Sequence, residues 1–339
     1  MFFRFFNEYS AQQNPKAELA NQMIRYNSKL DTYRESYQSY SQKPLIIHSC
    51  HHKTGTVVIE KILRTICQHL GLKYQYCKQS QLEPDTDVWL EHHSHIDFNA
   101  INRPIKGTHM IRNPCAIIIS AYEYHKSTIE PWANRKIKAL NNITYRGILN
   151  QLPEEEGIIF EMKNEYYLES SMNTIMDIYN WDYRRPEFLE VKYEDLMSNY
   201  DLTLSNMFKH YGWSREWIET GIRLAQPYNL RNKNKDELIK NKHVTNKNMD
   251  LNKWKEYFKN PNLASKFSKL YPDDIFQKIG YADDNIYTMN VPIDKTIEDP
   301  SLDEIVIPLP EKKVEVVREE TLKEKLWKRY GGDKTFQIA

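Results

Sequence analysis

Apolar residues form three short runs, and each run is followed by a polar loop and then by apolar residues at helical spacing. The first run, Leu45-Ile46-Ile47, is typical of a buried strand. Apolar positions between 58 and 70 then recur every three or four residues, and Gly71 supplies a helix stop. The pattern therefore predicts a strand, a tight loop over residues 51–56 and a helix, in direct succession.

The same pattern returns twice farther along the chain. Residues 108–111 predict a second strand, after which Asn113 suits a helix N-cap and Pro114 suits the first helical position. A third strand is predicted over residues 188–193, with a helix that ends before Gly212. Because strands alternate with helices, we predict an α/β fold with a central, mainly parallel sheet.

The 339 residues divide by composition into three parts. Residues 1–43, which are polar and rich in Tyr, Gln and Ser from about residue 8 onward, form a predicted helical extension. Residues 44–287 carry the strand–helix units and form the predicted domain. Residues 288–339 are charged and interrupted by prolines, which predicts an extended tail.

Charge and cysteine usage exclude several classes of protein. Lys and Arg number 47 and Asp and Glu 46, so no global positive field predicts a nucleic-acid partner, and any anion site is local. The four cysteines include no CxxC pair, which indicates reduced thiols and a cytoplasmic protein. No apolar run approaches the length of a transmembrane span, although the apolar stretch 1–6 leaves peripheral membrane association open.

The loop after the first strand has the residue types that bind an anion. Lys53 carries a full charge, Thr54 and Thr56 carry hydroxyl donors, and Gly55 lets the backbone approach a ligand closely. The helix that follows adds the partial positive charge of its N-terminus. In the Walker loop of ATPases the lysine follows the glycines, whereas Lys53 precedes Gly55. This order argues against an ordinary ATPase or kinase.

The second strand–helix unit carries two further residues that are suited to bind a phosphate. Arg112 stands where the strand meets the helix, and Ser120 follows eight residues later, about two helical turns along. A guanidinium at a strand end recognises phosphate through two parallel hydrogen bonds, and a nearby hydroxyl adds a donor.

Four segments together resemble the sulfotransferases that use 3′-phosphoadenosine 5′-phosphosulfate (PAPS). HHKTGTVVIEKIL resembles their 5′-phosphosulfate loop, and IRNPCAIIISAYEYH resembles their 3′-phosphate segment. VKYEDLMSNYDLTLSNMFKHYG resembles the YEDL segment, and KNMDLNKWKEYF resembles the C-terminal motif. The four segments occur in the order of the family and span about residues 44–285.

The resemblance implies a P-loop-type three-layer fold with about five strands, PAPS as the sulfuryl donor and no metal. It also implies donor contacts from Lys53, Thr54, Gly55, Thr56, Val57, Arg112, Ser120, Tyr193 and Lys247. The chain departs from the family pattern at several positions, and its last motif lacks both glycines of the family. Val57 and Val58 replace a threonine and a tryptophan, and Asn248 replaces the second basic residue of the last motif.

A histidine cluster follows another apolar run, Val88-Trp89-Leu90. An acceptor hydroxyl must lose its proton during transfer, and a neutral imidazole suits that role. The resemblance to the family's strand end favours His93 as the base, with His95 as second choice, while His92 and Glu91 also compete. The spacing of His93 and His95 would suit zinc, but no third ligand is identifiable, so we predict no metal.

Two other functions stay open from the sequence. Asp85-Thr86-Asp87 matches the DxD pattern of metal-dependent glycosyltransferases. The altered positions in the family motifs would also suit a nucleotide-binding module without activity. For a sulfotransferase, a carbohydrate, a lipid or a small hydroxyl compound would serve as the acceptor.

Overall fold

The computed structural model describes residues 43–138, 142–164, 170–241 and 243–296. The predicted N-terminal extension and most of the predicted C-terminal tail lie outside the described residues. The strands of the described part are β1 (Leu45–Cys50), β2 (Tyr74–Tyr76), β3 (Val88–His92), β4 (Ile105–Ile111), β5 (Lys136–Ile137), β6 (Ile143–Thr144) and β7 (Phe188–Lys192).

Five of these strands form one parallel sheet in the order β2-β3-β1-β4-β7. The prediction of a central parallel sheet of about five strands is therefore confirmed. The three strands predicted from apolar runs followed by helices are β1, β4 and β7, and the run Val88-Trp89-Leu90 begins β3. Strands β5 and β6 pair separately as an antiparallel ribbon, which the sequence did not predict because strands of two residues show no period.

Helices flank the sheet and fill the long connections. They are α1 (Thr56–Leu70), α2 (Pro114–His125), α3 (Tyr145–Gln151), α4 (Glu154–Lys163), α5 (Ser171–Asn180), α6 (Tyr193–Ser198), α7 (Tyr200–His210), α8 (Arg215–Ala225), α9 (Lys235–Lys240), α10 (Lys253–Phe258), α11 (Pro261–Leu270) and α12 (Ile275–Lys278). Two predicted helix signals, the N-cap of α2 and the stop of α1, are confirmed. The Asn113 side chain accepts hydrogen bonds from the first turn of α2, and Gly71 ends α1 in the left-handed conformation.

The central strand β1 is buried on both faces of the sheet. Leu45 and Ile47 pack on one face with Trp89 and Phe188, while Ile46 packs on the other face against α1 and α7. A strand covered on both faces has no polar side, which explains why the sequence shows β1 as a continuous apolar run.

The carboxyl ends of the four longer strands lie along one edge of the sheet. Cys50 at the end of β1 lies beside His92 at the end of β3, and Ile111 at the end of β4 lies beside Lys192 at the end of β7. The loops that leave these ends meet on that edge, where ligands of open α/β sheets bind.

In the described ranges, every helix is too short or too polar to cross a membrane.

Candidate functional site

A cavity of about 720 Å³ opens at the carboxyl edge of the sheet. Many of its lining residues belong to the predicted anion site, and the rest come from the segment 227–251 and from a group of aromatic and imidazole side chains. The first set comprises Lys53, Gly55, Thr56, Val57, Arg112, Ser120 and Tyr193. The sequence therefore predicted residues that the fold brings to one cavity.

The loop between β1 and α1 holds two residues in the left-handed region. Lys53 has a φ of 62° and Gly55 a φ of 103°. A Cβ at Gly55 would lie 3.0 Å from the Tyr193 ring, so the glycine permits both the turn and the close approach. Lysine in this conformation is strained, and such strain is found where a loop must present its groups to a ligand.

The N-terminus of α1 presents free backbone donors toward this loop. Within the described residues, the N–H groups of Gly55, Thr56 and Val57 donate to no protein acceptor, and no side chain caps the helix. The first turn of α1 also contains no acidic residue. Together with the helix dipole, these donors make the loop suited to bind an anion.

The two threonine hydroxyls point into the loop itself. Those of Thr54 and Thr56 both donate to the His51 carbonyl, over 2.8 and 3.0 Å. Thr54 is fully buried, and its hydroxyl also accepts from the His51 N–H. In this arrangement the hydroxyls hold the loop in shape, and the backbone supplies the open donors.

Lys53 is the cation nearest the loop. Its Nζ lies 4.0 Å from the centroid of the Tyr124 ring, a cation–π distance. Burial, reinforced by the charge of Arg112, lowers the pKa of Lys53 to about 7. A half-buried ammonium with so low a pKa lacks a full counter-charge, and a bound anion would supply it.

Arg112 connects the two predicted anion-binding segments. Its Nη1 donates to the Lys53 carbonyl over 2.9 Å, and its guanidinium lies 4.5 Å from the centroid of the Tyr193 ring. The buried Nε has no hydrogen-bond partner among the residues that the structure describes. A buried donor without an acceptor is costly, and a ligand acceptor beside Arg112 would remove that cost.

Ser120 and Lys247 were both predicted to bind the donor, but they have different positions relative to the cavity. Ser120 lines the cavity, where its hydroxyl lies 3.3 Å from that of Thr245. Lys247 does not line the cavity, because its Nζ donates to the carbonyls of Leu238 and Asn241, each over 2.8 Å. Its cationic head therefore closes the end of α9 in this structure.

The histidines after β3 lie close together but approach the cavity unequally. His92 lines it, whereas His93 stacks behind His92 with ring centroids 4.0 Å apart. Burial lowers the pKa of His92 to about 4 and that of His93 to about 3. His95 is largely exposed, and its Nε2 lies 3.1 Å from a carboxylate oxygen of Asp177. The assignment of His93 or His95 as the base stays a prediction.

Glu91, the other candidate base, does not line the cavity either. Burial raises the pKa of its carboxyl to about 8.

A further imidazole, which the sequence analysis did not single out, lines the cavity beside Lys53. His52 places its Nε2 3.0 Å from Nε2 of His125, and Nδ1 of His125 lies 2.8 Å from a carboxylate oxygen of Glu161. His125 and Glu161 are fully buried. The two contacts join residues 73 and 36 positions apart, so local spacing in the sequence gives no sign of them. The row of side chains from Glu161 through His125 to His52 is visible only in the folded structure.

The acidic pair considered for a glycosyltransferase lies elsewhere. Asp85 and Asp87 precede β3, at the amino end of the strand, whereas the cavity follows the carboxyl ends. Asp85 pairs with Lys73, and Asp87 pairs with Lys43 over 2.8 Å. The pair is engaged with lysines, and this placement gives no support to a metal and nucleotide-sugar site.

One wall of the cavity comes from a segment that the sequence analysis used only for its last motif. The segment between α8 and α10 contributes polar and cationic side chains, and α1 contributes one more lysine. They include Lys61, Tyr228, Lys233, Lys240, His243 and Thr245. Their spacing follows no strand or helix period, which is why pattern analysis missed them.

Comparison with known proteins gives no match at the level of sequence but a likeness at the level of structure. No protein-family model and no curated protein sequence matches the chain. The structure is similar to the crystal structure of mouse sulfotransferase SULT7A1 complexed with PAP, with 11% sequence identity and a TM-score of 0.44. The similarity covers 74% of this chain and 88% of the mouse chain. At this level the likeness does not bring the activity of the mouse enzyme to this chain.

Proposed function

We propose that the chain is a sulfotransferase that moves a sulfuryl group from PAPS to a hydroxyl acceptor. The observation that carries the proposal is the convergence of three anion-binding elements on one cavity. These are the uncapped N-terminus of α1, the ammonium of Lys53 and the guanidinium of Arg112 with its unpartnered Nε. Two cationic side chains, one in the loop after β1 and one at the end of β4, suit a ligand with two phosphates better than a ligand with one.

The residues present fit such a donor. The backbone donors of Gly55, Thr56 and Val57 would hold the 5′-phosphosulfate, with Lys53 beside the oxygen that leaves sulfur. Arg112 and Ser120 would hold the 3′-phosphate, and Tyr193 would support the guanidinium from below. The bound donor supplies an activated sulfur, and the chain supplies positioning and compensation of charge.

Val57 and Val58 have consequences for donor binding. Val57 offers a backbone N–H where the family carries a second hydroxyl, so one side-chain donor is missing. Val58 lines the cavity as an aliphatic surface and offers no aromatic ring for stacking. We therefore assign the specificity for the donor mainly to its phosphates and less to its adenine.

Arg112→Ala is expected to weaken the binding of adenosine 3′,5′-bisphosphate far more than that of 5′-AMP. Loss of a charged hydrogen-bond partner costs about 1.5–3 kcal/mol, which corresponds to roughly 10- to 150-fold in affinity. Calorimetric titration of both ligands into the variant and the parent chain measures the difference.

Arg215→Ala is the matched control, because the Arg215 side chain is 92% exposed and pairs with Glu219 of its own helix. It should leave both affinities unchanged. An equal loss for both ligands in Arg112→Ala would show that Arg112 only supports the loop through the Lys53 carbonyl, and would contradict its role at the 3′-phosphate.

Transfer of radiolabel from PAPS across a panel of sugars, phenols and lipid alcohols tests the activity itself. Labelled product with any one class supports the proposal and names the acceptor. If the chain binds the bisphosphate but transfers no label to any member of the panel, a nucleotide-binding module without activity is the better account.

A further inference from the structure

The row that runs from Glu161 through His125 to His52 ends at the cavity wall. We propose that His52 is the proton acceptor of the reaction and that His125 and Glu161 are positioning residues that hold it in the required tautomer. This inference rests on the proposed sulfuryl transfer, and it assigns to that reaction a base outside the cluster 92–95.

Glu161 fixes the proton arrangement at the buried end. Its carboxylate accepts from the hydroxyls of Tyr145 and Ser171 and faces Nδ1 of His125 at 2.8 Å. A carboxylate that accepts from every side requires a donor on the imidazole, so Nδ1 of His125 carries a proton. In the neutral ring with this tautomer, Nε2 of His125 is left as an acceptor.

That acceptor determines the tautomer of His52. The ring centroids lie 5.2 Å apart, which matches the 3.0 Å between the Nε2 atoms extended by one ring radius at each end, so the contact points outward from both rings and close to their planes, as a hydrogen bond requires. His52 must donate from Nε2 to His125, and in a neutral ring this leaves Nδ1 with its lone pair. Burial, followed by the neighbouring His125 and Lys53, lowers the pKa of His52 well below its usual value, so the ring is neutral at pH 7.

Nδ1 of His52 is the atom that can act on a ligand. Within the described part of the chain it has no hydrogen-bond partner, and it is accessible on a side chain that lines the cavity. His92, another imidazole that lines the cavity, differs. Nε2 of His92 is buried, and its Nδ1 lies 3.4 Å from the hydroxyl of Tyr76.

The position of His52 beside Lys53 suits a concerted transfer. The His52 ring centroid lies 6.0 Å from that of Tyr124, over which the Lys53 ammonium also lies. His52 takes the acceptor's hydroxyl proton on Nδ1 while the acceptor oxygen bonds to sulfur. The bond from sulfur to the phosphate oxygen breaks, and its electron pair stays on that oxygen beside Lys53. The imidazolium that forms is stabilised through His125 by the negative charge of Glu161.

Nitrogen NMR of the chain labelled at histidine tests the arrangement without any acceptor. We expect His52 to carry its proton on Nε2 and His125 on Nδ1, with the signals assigned from His52→Gln and His125→Gln. A proton on Nδ1 of His52 in the parent chain would overturn the proposal.

Kinetics test the role of the base. His52→Ala should bind adenosine 3′,5′-bisphosphate about as well as the parent, while transfer falls by roughly 10²–10⁴-fold and is partly restored by added imidazole. Imidazole should not restore Lys53→Ala. Full transfer activity in His52→Ala would overturn the proposal.

Glu161→Gln separates a positioning role from a merely structural one. It should lower kcat by more than it raises KM and should change the tautomer of His52. If this buried substitution prevents folding, His125→Leu provides the same test, since it removes the acceptor for the Nε2–H of His52. Failure of the parent chain to bind the bisphosphate would instead remove the proposed function, even with the tautomers as expected.

Discussion

Lys53→Ala should lower the rate of sulfuryl transfer by a hundredfold or more. Removal of one well-placed group that stabilises the charge of the transition state costs about 2.7 kcal/mol or more, which is a factor of about 100 in rate. Lys53 holds this position because the loop bends back at Gly55 and Arg112 binds its carbonyl. The measurement is the transfer of label from PAPS under saturating donor.

Lys61→Ala provides the comparison, because Lys61 also lines the cavity but is exposed to solvent on α1. Water screens an exposed ammonium, so its loss should cost only a few-fold in rate, consistent with less than about 1 kcal/mol. Similar losses of transfer rate in Lys53→Ala and Lys61→Ala would show that the overall positive charge of the cavity, and not the position of Lys53, affects the reaction. An unchanged rate in Lys53→Ala would contradict the site assignment.

The folded chain should lose much of its stability between pH 7 and pH 5. Burial lowers the pKa of His48, His93 and His109 to about 3 each, whereas an unfolded histidine titrates at about 6.5. The unfolded state therefore binds more protons in this window, and stability falls as the pH falls. Each such histidine contributes a loss of about 2 kcal/mol between pH 7 and pH 5.

One buried acid opposes this loss. Burial raises the pKa of Glu91 to about 8, so the folded state takes up its proton first and gains about 2 kcal/mol as the pH falls from 7 to 5. The three histidines outweigh it, and burial lowers the pKa of His51, His52 and His92 in the same direction. The net loss of about 4 kcal/mol or more is a large part of the 5–15 kcal/mol typical of a domain.

Urea unfolding at several pH values measures this loss. His48→Gln should reduce the proton uptake on unfolding near pH 5 by about one. A free energy of unfolding that stays constant from pH 7 to pH 5 would show that the histidines are not buried as neutral groups.

The sequence predicted the elements of the fold because each of them has a local cause. The apolar run of β1, the cap at Asn113 and the stop at Gly71 all act within a few residues. Arg112 and Ser120 could be placed as well, because the end of a strand and two helical turns fix their positions.

Side-chain directions and long-range pairs could not be predicted in the same way. Lys247 occurs in a family-like motif, yet its ammonium satisfies two carbonyls at the end of α9. The contact of His52 with His125 depends on how α2 packs beside the loop. Spacing along the chain contains neither fact, because the first depends on how the loop after α9 folds back and the second on packing of segments distant in sequence.

Titration of the full chain with adenosine 3′,5′-bisphosphate, beside 5′-AMP, is the most direct test of the central claim that the cavity binds a nucleotide with two separate phosphates. The account predicts one bisphosphate per chain, bound about tenfold or more tightly than 5′-AMP, since the second phosphate adds a charged hydrogen bond worth about 1.5 kcal/mol or more. Absence of bisphosphate binding, or equal affinity for the two ligands, would contradict it.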